Sequence, residues 1–429
     1  MPDSDTIVRD ERVTPGQRIR NVIVLITCVV TVLAVAIAVR NRLIRTSIDE
    51  PGNPVPLPVT GPTVIESRHP VSGFVHPGIV VSVSQLEHAR ARIRAGDQPW
   101  AAAYETMWRS GYASLNWRPN PRETVECGYF SNPDLGCTAQ RRDAVAAYTH
   151  ALLWYLTGER AFAEKAIEII DAWATTLREY TNLNAPIQAG WSAASFVRAA
   201  ELIRHTYDGW PTDAIARAET MFREVLLPMV RFGGAPGSGG NWDLIILDAA
   251  ISIAVFLDDR TLFDETIERW RSRLPAYIYL GSDGPWPVAP PGASSQRADV
   301  VEFWHGLTTF VDGVTQETCR DLAHTAWGLE AAAQIAETAW IQGVDIYTEA
   351  QSRLVAALEL HAGLALGEPV PDWLCGGSLT ATFSPIPEIA YNHYHNRQGI
   401  PLPKTRQLLD RDRPQSASHF YAWATLTHA

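Results

Sequence analysis

Lysine is almost missing from this chain: Lys165 and Lys404 are the only two in 429 residues, so 34 of the 36 basic side chains are arginines. Charge of either sign is sparse at 19%, and acids outnumber bases 47 to 36, a formal net charge of −11. A protein held to nucleic acid by its overall charge needs an excess of cations, so that class is excluded. Cysteine is scarce as well, with five, and no CxxC pair exists, which removes the common zinc-finger spacing. Convincing runs of alternating apolar and polar residues are wanting, which argues against a sheet protein. Only one long uncharged apolar run occurs, which excludes a polytopic membrane protein. What is present, 46% hydrophobic and 9% aromatic residues, suffices for a large core and rules out disorder over most of the chain.

The apolar run is NVIVLITCVVTVLAVAIAV at residues 21–39. As a helix it would span about 28 Å, close to the hydrocarbon thickness of a bilayer. Arg9, Arg12, Arg18 and Arg20 precede it, and Arg40, Arg42 and Arg45 follow. A short leading tail (1–20) before a large domain predicts an N-in signal anchor, a single pass through the cell membrane with the large domain outside. Cleavage at Ala-x-Ala, found at 34–36 and 36–38, would instead release a secreted protein. Residues 1–45 hold seven Arg and four acids, a surplus of three positive charges, so residues 46–429 carry −14. Pro51, Pro54, Pro56, Pro58 and Pro62 mark a semi-rigid linker over 40–72, and the folded domain is expected over 73–429. Exported cysteines pair, and local pairing predicts disulfides Cys127–Cys137 and Cys319–Cys375, with Cys28 inside the membrane segment.

From about residue 84 the chain reads as helix after helix. Ser84 with Glu87 has the form of a capping box, and Gly96 closes that helix. DAVAAYTHALLWYLTG and ERAFAEKAIEIIDAWATTL follow as a pair, then about 189–207 with 212–230, 240–257 with 260–273, and 319–342 with 346–366. Paired helices on short turns over some 300 residues predict an all-α fold, an incomplete α/α toroid, with an irregular α-solenoid as the competing arrangement. Two stretches break the rhythm, FGGAPGSGG (232–240) and GSDGPWPVAPPGASSQ (281–296), and such loops often form the rim of a binding site.

Among fifteen tryptophans, Trp100, Trp154 and Trp173 sit inside helical patterns and are assigned to the core. Trp117, Trp191, Trp242 and Trp286 stand at helix ends, where a flat face can meet a sugar ring. In ETCRDLAHTAWG, Glu317, Arg320 and His324 fall at i, i+3 and i+7, one face of a helix whose polar end would look into a central cavity. EIAYNHYHNRQG packs Tyr391, His393, Tyr394, His395 and Arg397 into seven residues. Histidines at i and i+2 do not converge on a helix, so a metal is not expected there, and no cofactor is called for. Asn241, before an apolar run, has the form of an N-cap. Asp243 and Asp248, five residues apart, are the best carboxylate pair for a glycoside hydrolase, yet they fall on different helix faces.

HPGIVVSVSQLEHARARIRAGDQPW, ALLWYLTGERAFAEKAIEIIDAW, QAGW, GNWDL, ETCRDLAHT, AWIQGVDIY and YNHY, in this order, resemble the alginate-lyase superfamily of polysaccharide lyases, nearest the group of glucuronan and alginate lyases. The resemblance runs from about Phe74 to the C-terminus. It implies an α/α toroid and β-elimination on a polymer of uronic acids, an acidic polysaccharide. It also implies that Asn241, Glu317 and Arg320 hold the substrate carboxylate, with His324 as base or its partner. Tyr391 or Tyr394 would be the general base and acid, Tyr391 preferred, while Arg397, His393, Trp191 and Trp242 would bind neighbouring sugars. Alginate lyases of this superfamily carry Asn-Asn-His where this chain has Gly240-Asn241-Trp242, a departure that favours another polyuronate and calls on His324 as the replacement. Two other functions compete: a glycoside hydrolase on the same toroid, and a non-catalytic polysaccharide-binding or export protein.

Overall fold

The computed structural model describes residues 66–234 and 238–429, with Leu57 and Pro62. The expected anchor at 21–39 and most of the linker fall outside the described residues. Among those described, no helix is long and apolar enough to cross a membrane. From Asn53 onward the chain is one compact unit.

Eleven helices of nine residues or more carry the described fold: α1 (Val83–Ala95), α2 (Trp100–Arg109), α3 (Cys137–Thr157), α4 (Arg160–Thr176), α5 (Ala185–Thr206), α6 (Thr212–Thr220), α7 (Gly240–Phe256), α8 (Arg260–Tyr277), α9 (Leu322–Ile341), α10 (Ile346–Ala365) and α11 (Pro403–Asp412). Helices α3, α5, α7 and α9 pack side by side as an inner row, and α4, α6, α8 and α10 cover them outside. Burial follows that division. Every residue of α7 from Asp243 to Phe256 is buried, whereas α4 buries one stripe around Phe162, Ile169, Ile170 and Trp173. An all-round apolar helix is stable only when neighbours enclose it on all sides, which is why GNWDLIILDAAISIAVF becomes the innermost element.

The inner row curves. Trp191 of α5 and Trp327 of α9 meet edge to face at 5.9 Å across the end of the intervening α7. Deeper in, Arg198 of α5 donates to Asp248 of α7 at 2.5 Å and to Gln334 of α9 at 2.9 Å. A solenoid keeps alternate repeats apart, so these contacts settle the matter for the toroid-like arrangement. The C-terminal segment fills the remaining gap: Arg198 donates to the Phe420 carbonyl, and Trp423 Nε1 donates to Thr149 of α3.

Several local expectations shift. The cap of α1 is Ser82, whose hydroxyl accepts from the Gln85 N–H while the Gln85 side chain accepts from the Ser82 N–H. Ser84 and Glu87 do not form it; Glu87 accepts instead from the Tyr155 hydroxyl at 2.7 Å. Pairing begins before Gly73, since β1 (Ser67–Arg68) is antiparallel to β2 (Val75–His76), followed by the hairpin β3 (Gly78–Ile79) and β4 (Val81–Ser82). A further small sheet joins β5 (Thr124–Cys127) to β6 (Asp134–Leu135) and β7 (Glu179–Thr181). Both expected disulfides, Cys127–Cys137 and Cys319–Cys375, are formed. Trp154 and Trp173 are core as expected, while Trp100 is only half-buried.

Candidate active site

The cleft lies where the inner helices begin. Arg141 is in the first turns of α3, Gln188 and Trp191 in those of α5, Asn241 at the start of α7, and His324 and Trp327 in the first turns of α9. Each helix start carries a partial positive charge, which is met at α7 by the Glu317 carboxylate and at α9 by Asp321.

Two glycines allow the approach. A Cβ on Gly240 would lie 1.8 Å from the Tyr277 ring, and one on Gly239 would lie 2.6 Å from Glu317 Oε1. Tyr277 in turn reaches under α9 and donates to the Thr325 carbonyl at 3.2 Å. With that space clear, the first residues of α7 settle on the turn before α9. Gly240 N–H donates to Gln316 Oε1 at 2.8 Å, and Asn241 N–H donates to Glu317 Oε2 at 2.9 Å. The Asn241 side-chain amide donates to Glu317 Oε1, and Arg320 donates to the same oxygen at 2.9 Å. Asn241 and Glu317 are fully buried, and Asn241 Oδ1 has no partner. Arg320 is about one-third exposed, at 35%, so part of its guanidinium remains for a ligand.

Contrary to the single helix expected from their spacing, Glu317 and Arg320 do not share a helix with His324; α9 starts at Leu322, capped by Asp321, which accepts the His324 N–H at 2.8 Å. The same carboxylate holds His324 Nδ1 at 2.6 Å. A carboxylate on Nδ1 fixes ring orientation and leaves Nε2 as the working nitrogen, the arrangement a general base needs. His305 faces the group from the far side. Burial keeps its imidazole below the usual value while the charges of Glu317, Arg320, Asp321 and His324 act on it. A cavity of about 500 Å³ opens here, bounded by Gly239, Phe303, His305, Gln316, Glu317 and Arg320 on one side and by Ala289–Ser294 on the other. Of the two expected rim stretches, Gly239 comes from the first and Ala289, Pro290, Ala293 and Ser294 from the second.

On the other side of His324 lies an aromatic floor. His324 is 5.3 Å from Trp327, and the His419 ring sits 4.8 Å from Trp327 and 4.9 Å from Trp191. Burial lowers the His419 imidazole to about 4, with Arg141 and His324 adding to the effect, so it is neutral at physiological pH. Arg141 lies 5.2 Å over the Trp191 ring and donates to Gln188 at 2.6 Å, with no ion pair among the described residues. Arg141, Asp321 and His419 escaped the sequence reading. Asp321 lies within ETCRDLAHTAWG, three residues before His324, and its N-cap position was the signal missed; Arg141 and His419 stand 278 residues apart, and no local motif marks them.

The YNHYH cluster is elsewhere, and this corrects its placement with the carboxylate-binding group. Arg397 donates to both oxygens of Glu337 in the last turns of α9, thirteen residues beyond His324, or about 20 Å along a helix. Tyr394 is fully buried and donates to the Tyr347 carbonyl at 2.9 Å. His393 stacks on Tyr347 at 3.7 Å, where burial lowers its imidazole to about 4. Tyr391 is buried against His395 under Arg413. No group at that distance can act on a sugar bound at Arg320. Of the paired acids, Asp248 is sealed against Arg198 and Asp243 accepts from Gly234, so they share no cavity. Trp242 is partly exposed beside Asn241, and Trp117 and Trp286 are also half-buried.

Residues 101–290 match the alginate lyase family model. That segment contains Arg141, Trp191 and Asn241 but ends before Glu317, Arg320 and His324. The fold is shared with alginate lyase A1-III from Sphingomonas species A1, at 17% identity over 85% of this chain and 99% of that one, with a TM-score of 0.59. A variant of that enzyme complexed with tetrasaccharide matches at 19% identity over the same shares and 0.58. An alginate lyase from Bacteroides ovatus matches at 15% identity over 83% of this chain and 100% of that one, also at 0.58. No curated protein sequence matches. The alginate lyase match and the shared toroid support a polysaccharide lyase.

Proposed function

We propose that this protein cleaves a uronic-acid polymer by β-elimination at the cleft between Arg320 and Trp191. The observation that carries the reading is the grouping of Arg320, Asn241 and Glu317 beside the His324–Asp321 pair, at the point where four inner helices begin. The C5 proton of a uronate is a poor acid because the adjacent carboxylate is already negative. Arg320, with the helix ends behind it, stabilises the extra charge that develops there. His324 Nε2 takes the C5 proton, the electron pair forms the C4–C5 double bond, and the C4–O4 bond breaks. The imidazolium returns its proton to O4, so one chain ends in an unsaturated uronate and the other in a free hydroxyl. Asp321 keeps the ring aimed and steadies its positive form. Trp191 and Arg141 fit the next sugar, one by its face and the other by its carboxylate.

Glucuronan is the substrate we favour over alginate, since Trp242 replaces the histidine typical of alginate lyases. We also propose that residues 21–39 anchor the chain, with the lyase domain outside the cell; two disulfides favour an oxidising compartment. The test is to incubate the purified protein with glucuronan, alginate and hyaluronan and follow the ultraviolet absorbance of unsaturated uronates. New reducing ends without that absorbance would replace the lyase with a hydrolase. Recovery of the full-length protein in the soluble fraction of cells would overturn the anchor.

A further inference from the structure

At the opposite end of the inner row, where α5 and α7 finish, three metal-ligating side chains come together outside the cleft. His76 on β2, Glu201 on α5 and His205 one turn later each offer a ligand atom, all within 4.8 Å of one another. His76 and Glu201 are 3% and 2% exposed, and His205 lies half-buried beside them, its ring stacked on His76 at 4.4 Å.

Their hydrogen bonding is incomplete in an informative way. His76 Nε2 faces Asp258 Oδ1 at 3.3 Å, and that carboxylate also accepts from Ser72 at 2.6 Å. With the Nε2 proton given to Asp258, Nδ1 presents a lone pair to Glu201 Oε1 only 2.7 Å away. That contact needs either a proton on Nδ1 or a cation between the two atoms, and Oε1 also accepts from the Gly78 N–H at 3.1 Å. A second proton on the ring would satisfy Oε1 alone. Glu201 Oε2 would still be buried with no hydrogen-bond partner, and it faces His205 Nε2 at 3.6 Å. A cation held by both histidines and the carboxylate meets all of these demands together.

We propose that His76, Glu201 and His205 bind a divalent transition-metal ion, with Zn²⁺ the best fit, and that the ion pins the N-terminal hairpins to the far end of the toroid. Two imidazoles and one carboxylate suit zinc, whereas calcium and magnesium call for oxygen ligands. Tetrahedral ligands at about 2.0–2.1 Å from zinc stand about 3.3 Å apart, so the present spacings, none above 4.8 Å, need to change by up to about 1.5 Å. Asp258 takes the supporting place behind His76, as carboxylates commonly do for a metal-bound histidine. The ion would tie together three parts of the chain: β2, the end of α5, and the turn after α7.

The experiment uses the whole protein without a histidine tag, stripped with a chelator and dialysed metal-free. Zn²⁺ or Mg²⁺ is then added, and bound metal and thermal unfolding are measured. Zinc is expected to bind at one ion per chain and raise the Tm by several degrees, with no effect of magnesium. His205→Ala, at the most exposed of the three positions, is expected to weaken zinc binding at least about 100-fold and abolish the zinc-dependent rise, with an unchanged Tm in the metal-free state. If His205→Ala unfolds, the wild-type titration alone decides. Absence of stoichiometric zinc, or a wild-type Tm indifferent to it, would overturn the site and leave a proton-bridged His76–Glu201 pair.

Discussion

Arg320→Ala is the substitution that bears most directly on the cleft. In the proposed mechanism the cation faces a substrate carboxylate whose charge grows as the C5 proton leaves. At about 4 Å and an effective dielectric near 20, one added charge is worth about 4 kcal/mol. Arg320 is one-third exposed and already shares Glu317 Oε1, so the usable part is about 2–3 kcal/mol. That corresponds to a loss of about 30- to 150-fold in rate. The charge develops mostly in the transition state, so kcat falls more than KM rises. Fold stability also falls, because the fully buried Glu317 loses its ion-pair partner, although both Asn241 donors remain. Arg320→Lys keeps the charge without the fork and recovers part of the rate. The assay is initial rate of unsaturated product against polymer concentration, with a thermal melt of each variant. An Arg320→Ala protein that stays folded in the assay and keeps its rate within about threefold would refute carboxylate binding at this position.

Two further outcomes follow from the core. Asp248→Ala strands the Arg198 guanidinium in the middle of the inner row, where the pair is 3% and 0% exposed. Breaking such a pair costs about 3–5 kcal/mol, or roughly 4–7 °C in Tm for a domain of about 360 residues, and an unchanged melt would show that the Gln334 and Phe420 contacts suffice. Glu330 is fully buried, and burial pushes its carboxyl up to about 8. Its folded value lies above the unfolded one, so its contribution is complete below about pH 4.5 and is lost as pH rises towards 8. Glu330→Gln is therefore expected to raise the Tm by about 5 °C at pH 8 and by about 1 °C at pH 5, in melts over that range. Equal effects at both values would mean that Glu330 is ionised in the fold.

How much of this was legible in the sequence depends on the range of each interaction. Helix pairs announce themselves through three- and four-residue periodicity and through stops such as Gly96 and Gly158, both left-handed in the structure. The apolar α7, flanked by Gly239–Gly240 and a polar turn, is readable as an inner element for the same reason. Glu317, Arg320 and His324 were found through their spacing, although the helix begins after two of them. The proximity survives because a turn and a cap can present the same three groups as a helix face. YNHYH shows the opposite failure. Its density of tyrosine and histidine marks chemistry-bearing residues but not an address, and the address comes from Glu337, which lies 60 residues earlier and pairs with Arg397 at 2.6 Å. His419 and Arg141 belong to the cleft only because the toroid curves, and curvature has no local signature.

The acidic balance of the chain looks incompatible with a polyanionic substrate, and the fold removes the conflict. Net charge acts over the whole surface and is screened beyond about 8 Å in physiological salt. Within that distance the substrate meets Arg141, Arg320 and His324, together with the starts of α3, α5, α7 and α9. Helix ends contribute positive potential without a single basic residue, so a lysine-poor chain can attract an anion through its backbone. The remaining arginines are largely spent elsewhere, in outer pairs such as Arg271 with Glu349 and Arg217 with Asp171. The cavity itself is also lined by Asp299, Glu302 and Glu317, so the attraction is local to Arg320, Arg141 and the helix starts rather than spread over the whole cleft.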